Sequence, residues 1–177
     1  APTNLFRLME YEPLFYLDPQ SHICDLGGAI GLTSIFFSGL FAKSTNLDSS
    51  GELIKLACGI KELLDINAPL QKDHPLANYV PKGHRMDLAN YTIKEENFLT
   101  QSDLSGYDIF YYYFNHFQDM SFFKEIEKKI CLARGTKKTY FLINWAGKEY
   151  DQLKAPFNFF KLDQDKTTPQ FRLFVLN

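Results

Sequence analysis

Cysteine is scarce in this chain, with three in 177 residues: Cys24, Cys58 and Cys131. They form no CxxC pair and have no histidine at metal-ligand spacing, which excludes a disulfide framework and a zinc site. They read as reduced, mostly buried thiols. An excess of one charge is also missing: 19 Lys and Arg stand against 21 Asp and Glu, for a net charge of −2. That balance excludes a chain built to coat nucleic acid or anionic lipid, and no nucleic-acid partner is expected. No long hydrophobic run occurs. The most apolar stretch, residues 29–42, is interrupted by Gly, Thr and Ser and falls short of the roughly 20 residues a membrane span needs. The chain does not open on a basic segment followed by an apolar one. A soluble, cytoplasmic protein without metal or membrane contact is the expectation, and the oligomeric state is open.

What the chain does have is aromatic side chains, 17 Phe and 10 Tyr against a single Trp. Rings bury much area per residue, and a surplus often lines pockets for flat or cationic ligands. The length fits a single domain over residues 1–177. Its short cap over residues 1–20 is consistent with further residues preceding Ala1.

Helix and strand signals alternate. Leu5, Leu8, Met9 and Leu14 predict an N-terminal helix from Asn4 to Leu17. Ser21 to Leu26 reads as a short strand that runs into Gly27 to Gly31, followed by an apolar helix from Leu32 to Lys43. Ser44 to Asp48 is a poorer strand. Glu52 to Leu64 predicts an amphipathic helix with Leu53, Leu56, Ile60, Leu63 and Leu64 inward. Residues 66–88 hold three prolines and two histidines and read as an irregular insertion or lid. Ala89 to Phe98, Asp108 to Phe114 and Thr139 to Asn144 are further strands. Phe122 to Leu132 is a helix with Phe123, Ile126 and Ile130 inward. Phe157 to Leu162 and Phe171 to Leu176 would close the chain as an antiparallel hairpin. This order predicts an α/β fold: one doubly wound, mostly parallel sheet of Rossmann-like type with that hairpin at one edge.

Asp25-Leu26-Gly27-Gly28-Ala29-Ile30-Gly31 carries the most chemistry. Glycines between a strand and a helix let a ligand approach the backbone. Nucleotide folds add a carboxylate at the end of the next strand to accept ribose hydroxyl protons, and Asp48 stands there. The glycine spacing does not fit GxGxxG, and no GxxxxGK[ST] occurs, which demotes NAD(P) and ATP.

This segment resembles the D-x-G-x-G-x-G signature of class I S-adenosylmethionine-dependent methyltransferases, with Ala29 at the middle glycine. Residues 46–57, with Asp48 and the helix start ELIKLA, are similar to the family's second segment. Gly106 to Phe110 resembles the start of its fourth strand, and the final hairpin resembles its closing strand pair. The resemblance implies S-adenosyl-L-methionine as cofactor: Asp25, Gly27, Gly28, Ala29 and Gly31 under its methionine part, Asp48 on the ribose, and Asn97 with Phe98 beside the adenine. It implies methyl transfer to an unidentified protein or small-molecule acceptor; the alternative is a catalytically inactive binding or scaffold protein on the same fold. A narrower resemblance links residues 89–99 and Phe114-Asn115-His116-Phe117 to the non-SET histone-lysine methyltransferases, as a pointer to the acceptor channel. On that basis Tyr113 lines the acceptor pocket, Asn115 positions the nucleophile and His116 takes its proton.

Plainer readings stand beside these. The glycine turn could be a tight connection without a ligand, and Asp48 a helix N-cap. Asp108 could satisfy backbone N–H groups. Tyr111, Tyr112 and Tyr113 alternate across a strand, so at most half of them see one pocket and core packing is their default. His116 could cap or face solvent, and His74, His84, Lys72, Lys82 and Arg85 could belong to a solvated loop.

Overall fold

A computed structural model describes residues 5–68, 85–114, 121–145 and 156–177. One seven-stranded sheet is built from β1 (His22–Leu26), β2 (Lys43–Asp48), β3 (Tyr91–Glu95), β4 (Ile109–Phe114), β5 (Thr139–Trp145), β6 (Lys161–Leu162) and β7 (Phe171–Leu176). The spatial order is β3-β2-β1-β4-β5-β7-β6. The first five strands run parallel, and β7 is antiparallel to both of its neighbours. From β1 the chain steps outward through β2 to β3, then returns to the far side of β1 for β4. The reversal of strand order therefore falls between β1 and β4, where open α/β sheets hold their ligands.

Helices α2 (Leu32–Ser38) and α3 (Gly51–Leu64) lie between these strands in sequence, and α4 (Ser121–Arg134) lies between β4 and β5. Leu8, Leu14 and Phe37 pack with Ile23, Tyr111 and Leu142 on one face of the sheet. Phe123, Ile126 and Ile130 of α4 pack with Cys24, Phe110 and Phe141 on the other. Strand β4, IFYYYF, is buried at five of its six positions, as its unbroken apolar character predicts. Alternation sends Tyr111 and Tyr113 to the α2 side and Tyr112 to the α4 side.

Several elements differ from the expectations. The N-terminal helix is split into α1 (Leu5–Met9) and a 3-10 turn over Glu12–Tyr16, because Pro13 lacks the N–H that a continuous helix needs. Helix α2 stops at Ser38, capped by the Gly39 N–H, and β2 starts at Lys43. Helix α3 buries Ile54, Ala57 and Leu63 and leaves Leu56 exposed, so its inward face is rotated by about one position. The expected strand Phe157 to Leu162 shrinks to Lys161–Leu162. Phe157 and Phe160 enter the aromatic core instead, and a side chain of α4 binds the backbone N–H groups of residues 158–160. Cys24 is buried, Cys131 half-buried and Cys58 exposed, all as free thiols, so burial holds for only part of the set.

Most of the insertion expected over residues 66–88 lies outside the described residues. Its two ends meet: Asp65 bridges Met86, and Arg85 donates to the carbonyls of Asp65 and Ala68. Among the described residues no helix is long and apolar enough to cross a membrane, and no group of three or more His, Cys, Asp or Glu could hold a metal ion.

Candidate functional site

The carboxyl ends of β1 and β2 bring the motif residues together. Asp25 is the fourth residue of β1, opposite Asn46 on β2 and Tyr111 on β4. Its side chain is 3% exposed and accepts a hydrogen bond from Ser34 Oγ of α2 at 2.9 Å. Burial pushes the Asp25 carboxyl up to about 7; the negative charge of Asp48 adds to this, while the Ser34 hydroxyl works against it.

After β1 the backbone turns sharply. Gly27 and Gly31 have φ of 70° and 81°, a region that favours glycine. A Cβ on Gly28 would overlap Asn46 Oδ1 and sit 2.7 Å from Asp25 Oδ2; one on Gly31 would overlap the Tyr91 hydroxyl. Ala29 also adopts a left-handed conformation, φ 49°, at a cost of about 1–2 kcal/mol. Two side chains of β2 offset that cost. Asp48 Oδ2 accepts from Ala29 N at 3.0 Å, and Asn46 Nδ2 donates to Ala29 O at 3.0 Å. Alanine at the middle position of the turn is therefore held in the shape a glycine would take.

Asp48, read from the sequence as a ribose-binding acid at the strand end or a helix N-cap, is the last residue of β2. It is 9% exposed, and its second oxygen, Oδ1, accepts from Ser50 N at 2.8 Å. The cap of α3 is Ser50, whose Oγ accepts from Leu53 N. Asp48 thus ties the glycine turn to the start of α3 and keeps free lone pairs for further donors.

Asn97 is exposed, two residues beyond β3. Its Oδ1 accepts from Leu99 N at 2.9 Å and its N–H donates to Gln101 Oε1, so the amide oxygen that adenine would use already serves a local turn. Phe98 is half-buried against Phe122 of α4, ring to ring at 5.6 Å. Tyr113, near the end of β4, is half-buried against the apolar cluster on the α2 face, the same face as Asp25. Asn115 and His116 lie outside the described residues, as do His74, His84, Lys72 and Lys82. Asp108 takes the structural role weighed for it, accepting from His22 N at 2.7 Å and pairing with Lys137.

The strand order, the acids near the ends of β1 and β2 and the glycine turn that leaves β1 can be set beside solved structures. A putative methyltransferase from Escherichia coli is similar at 14% identity with a TM-score of 0.64, covering 100% of this chain and 88% of that one. An RNA methyltransferase from Salinibacter ruber, solved with S-adenosyl-L-homocysteine, is similar at 12% identity and a TM-score of 0.57, over 99% of this chain and 92% of that one. The tRNA (uracil-54, C5)-methyltransferase of Pyrococcus abyssi, with the same ligand, gives 12% and 0.57, over 99% of this chain and 39% of that one. The fold is that of the class I S-adenosylmethionine-dependent methyltransferases. No family model matches the sequence, and no curated protein does.

Within this methyltransferase fold, sequence reasoning missed three polar residues. Asn46 and Tyr91 are fully buried beneath the turn, and Asn144 on β5 donates to the Tyr111 hydroxyl at 2.9 Å. A signal for the first existed. In β2, KSTNLD, five of the six residues are polar although all from Ser44 onward are buried, and Ser44, Asn46 and Asp48 take the alternate positions that share one face of a central strand. A buried strand carries polar groups on one face only where something hydrogen-bonds them.

Proposed function

We propose that the protein transfers the methyl group of S-adenosyl-L-methionine to an acceptor held beyond the end of β4. The observation that carries this reading is the Asp48 carboxylate, anchored on the Gly27 to Gly31 turn at the switch point of a methyltransferase-type sheet. The residues present fit the cofactor: Gly27 is exposed with open space where a Cβ would stand, so the backbone there is open to close approach, while Gly28 and Gly31 let the turn pack down on Asp25, Asn46 and Tyr91. Asp48 would accept the ribose hydroxyls, the turn would lie under the methionine part, and Asn97 and Phe98 would flank the adenine. The sulfonium supplies an already activated methyl, so alignment and exclusion of water are the protein's main tasks. Asn115 would orient the acceptor and His116 would take its proton, with Tyr113 as an apolar wall.

The acceptor class is open to RNA as well as to protein or a small molecule. Low net charge argued against nucleic acid, but neighbours with this fold include an RNA and a tRNA methyltransferase. A labelled donor incubated with separate RNA and protein fractions distinguishes the classes.

Calorimetric titration with S-adenosylhomocysteine tests the reading. Binding is expected for the native chain, and Asp48→Ala is expected to weaken it by about 1.5–3 kcal/mol. Since Asp48 also holds two backbone N–H groups, the same variant should lose about 1–3 kcal/mol of stability, so affinities are compared well below its unfolding temperature. No heat from folded native protein would favour a non-catalytic scaffold. For the acceptor side, Asn115→Ala is expected to lower the methyl-transfer rate constant about 10–100-fold, with cofactor affinity unchanged. Loss of cofactor binding in that variant would put Asn115 in the wrong half of the site.

A further inference from the structure

Beneath the glycine turn the hydrogen bonding is incomplete in a specific way. Asn46 Oδ1 is fully buried and finds no hydrogen-bond donor among the described residues, and the equally buried Tyr91 hydroxyl has the Asn46 amide beside it but no acceptor for its own proton. Asn46 Oδ1 and Asp25 Oδ2 both crowd the space where a Gly28 Cβ would stand, so an acceptor without a donor and a carboxyl group border the same small space. On the other side, Asn46 Nδ2 and the Tyr91 hydroxyl both crowd the space of a Gly31 Cβ. Asn46 therefore spans from Asp25 to Tyr91, and its Nδ2 donates to the Ala29 carbonyl.

Two oxygens that only accept cannot sit side by side in a dry interior without a proton between them. An ionised Asp25 would face Asn46 Oδ1 with repulsion. A neutral Asp25 has a hydroxyl to donate, and Asn46 Oδ1 is the acceptor that lacks a donor. We propose that Asn46 is a positioning residue of the turn, set by the proton on Asp25. With Asp25 neutral, its O–H donates to Asn46 Oδ1 and fixes the amide with Nδ2 on the Ala29 carbonyl. When Asp25 ionises, the amide turns over, Nδ2 donates to the carboxylate, and Oδ1 accepts from the Tyr91 hydroxyl. The Ala29 carbonyl then loses its donor, and of the two side chains of β2 that hold Ala29 only Asp48 still does. Each arrangement leaves one group unsatisfied, Tyr91 in the first and Ala29 in the second, which keeps the two close in energy.

The groups facing Asp25 agree with a proton shared at this place. They are the Ser34 hydroxyl from α2, the Asn46 amide and Asp48 carboxylate from β2, the Tyr91 hydroxyl from β3 and, opposite Asp25 in register on β4, Tyr111, whose hydroxyl accepts from Asn144. Cys24, its neighbour in β1, lies in the core of the opposite face. Asp48 is the charged member and favours the neutral form. Burial and this charge bring the carboxyl to about 7, within reach of ordinary buffers. The inference concerns the turn without ligand and stands or falls independently of what the turn binds.

Nuclear magnetic resonance of the ligand-free protein tests it. The Asp25 side-chain carboxyl, the Ala29 amide and the Asn46 side-chain amide are expected to titrate with one common midpoint. In Asn46→Ala both forms of the carboxyl lose their amide partner, and the bond lost to the ionised form is the stronger, charge-assisted one, so the midpoint should rise and the Ala29 amide should cease to follow it. In Tyr91→Phe the ionised arrangement loses its donor, so the midpoint should rise while the Ala29 and Asn46 amides still titrate with the carboxyl. A purely structural role gives no such uncoupling. An Ala29 amide that still follows Asp25 in Asn46→Ala, or that does not follow it in the native protein, overturns the proposal; should Asn46→Ala fail to fold, the native titration and Tyr91→Phe decide.

Discussion

Replacing Glu127 by alanine is expected to lower the unfolding free energy by about 3–5 kcal/mol. Glu127 lies on the inward side of α4 and is 1% exposed. Its Oε2 accepts from Asn158 N at 2.8 Å, and its Oε1 accepts from Phe159 N at 2.7 Å and Phe160 N at 2.9 Å. Hydrogen bonds to a charged group contribute more than neutral ones, and each donor left dry after their removal adds its own desolvation cost. The three N–H groups belong to the turn that carries Phe157 and Phe160 into the core, where their rings lie 5.0 Å apart. Loss of the carboxylate therefore loosens ring packing as well as hydrogen bonding. Glu127→Gln keeps an oxygen for Phe159 and Phe160 but turns an amide donor toward the Asn158 N–H, so an intermediate loss is expected. Urea unfolding of the three proteins measures this. A loss below about 0.5 kcal/mol in Glu127→Ala, the scale of an ordinary surface substitution, would show that the turn holds itself.

Glu127 also marks where sequence reading stops. Phe123, Ile126 and Ile130 announce the buried face of α4 by their spacing, and they are buried. Glu127 sits among them in space, yet along the chain it reads as one more acid in a charged helix. Nothing local distinguishes it, because its partners lie about thirty residues away. The same long-range dependence erased the expected strand at Phe157, where β-type residues are drawn into a turn by a distant carboxylate. Strands β1, β2, β4 and β5 were legible because burial imposes its pattern within a few residues. The glycine turn was legible because backbone shape demands glycine locally. The order of β6 and β7 was not: an expected hairpin fixes that two strands pair, and not that the second inserts beside β5. Asn46 falls between these cases. Its alternation with Ser44 and Asp48 is visible in the sequence, but its meaning needs Asp25 and Tyr91 from neighbouring strands.

Asp25→Asn is expected to change how stability depends on pH, by a margin large enough to read in simple unfolding curves. In the unfolded chain an aspartate titrates near 3.9; in the fold, burial first and the Asp48 charge second bring Asp25 to about 7. Below pH 4 both states carry the proton and the carboxyl contributes no pH dependence. Between about pH 4 and 7 the unfolded chain gives up its proton while the folded protein keeps it. The folded state then binds more protons, so stability falls as pH rises through that window and levels off above it. The ceiling on this loss is about 4 kcal/mol, and partial rearrangement around the ionised group reduces it to roughly 2–4 kcal/mol. Asparagine cannot titrate, and its amide can still donate toward Asn46 Oδ1 as the neutral acid does. Urea unfolding of the variant and the native protein at pH 4 and pH 8 measures this. Groups that titrate equally in both proteins cancel in the difference, and so does any packing change from the substitution. The variant should gain roughly 2–4 kcal/mol on the native protein between the two pH values. A difference that is the same at pH 4 and pH 8 would mean that Asp25 is ionised in the fold throughout, and that the buried carboxylate is held by hydrogen bonds stronger than the one from Ser34.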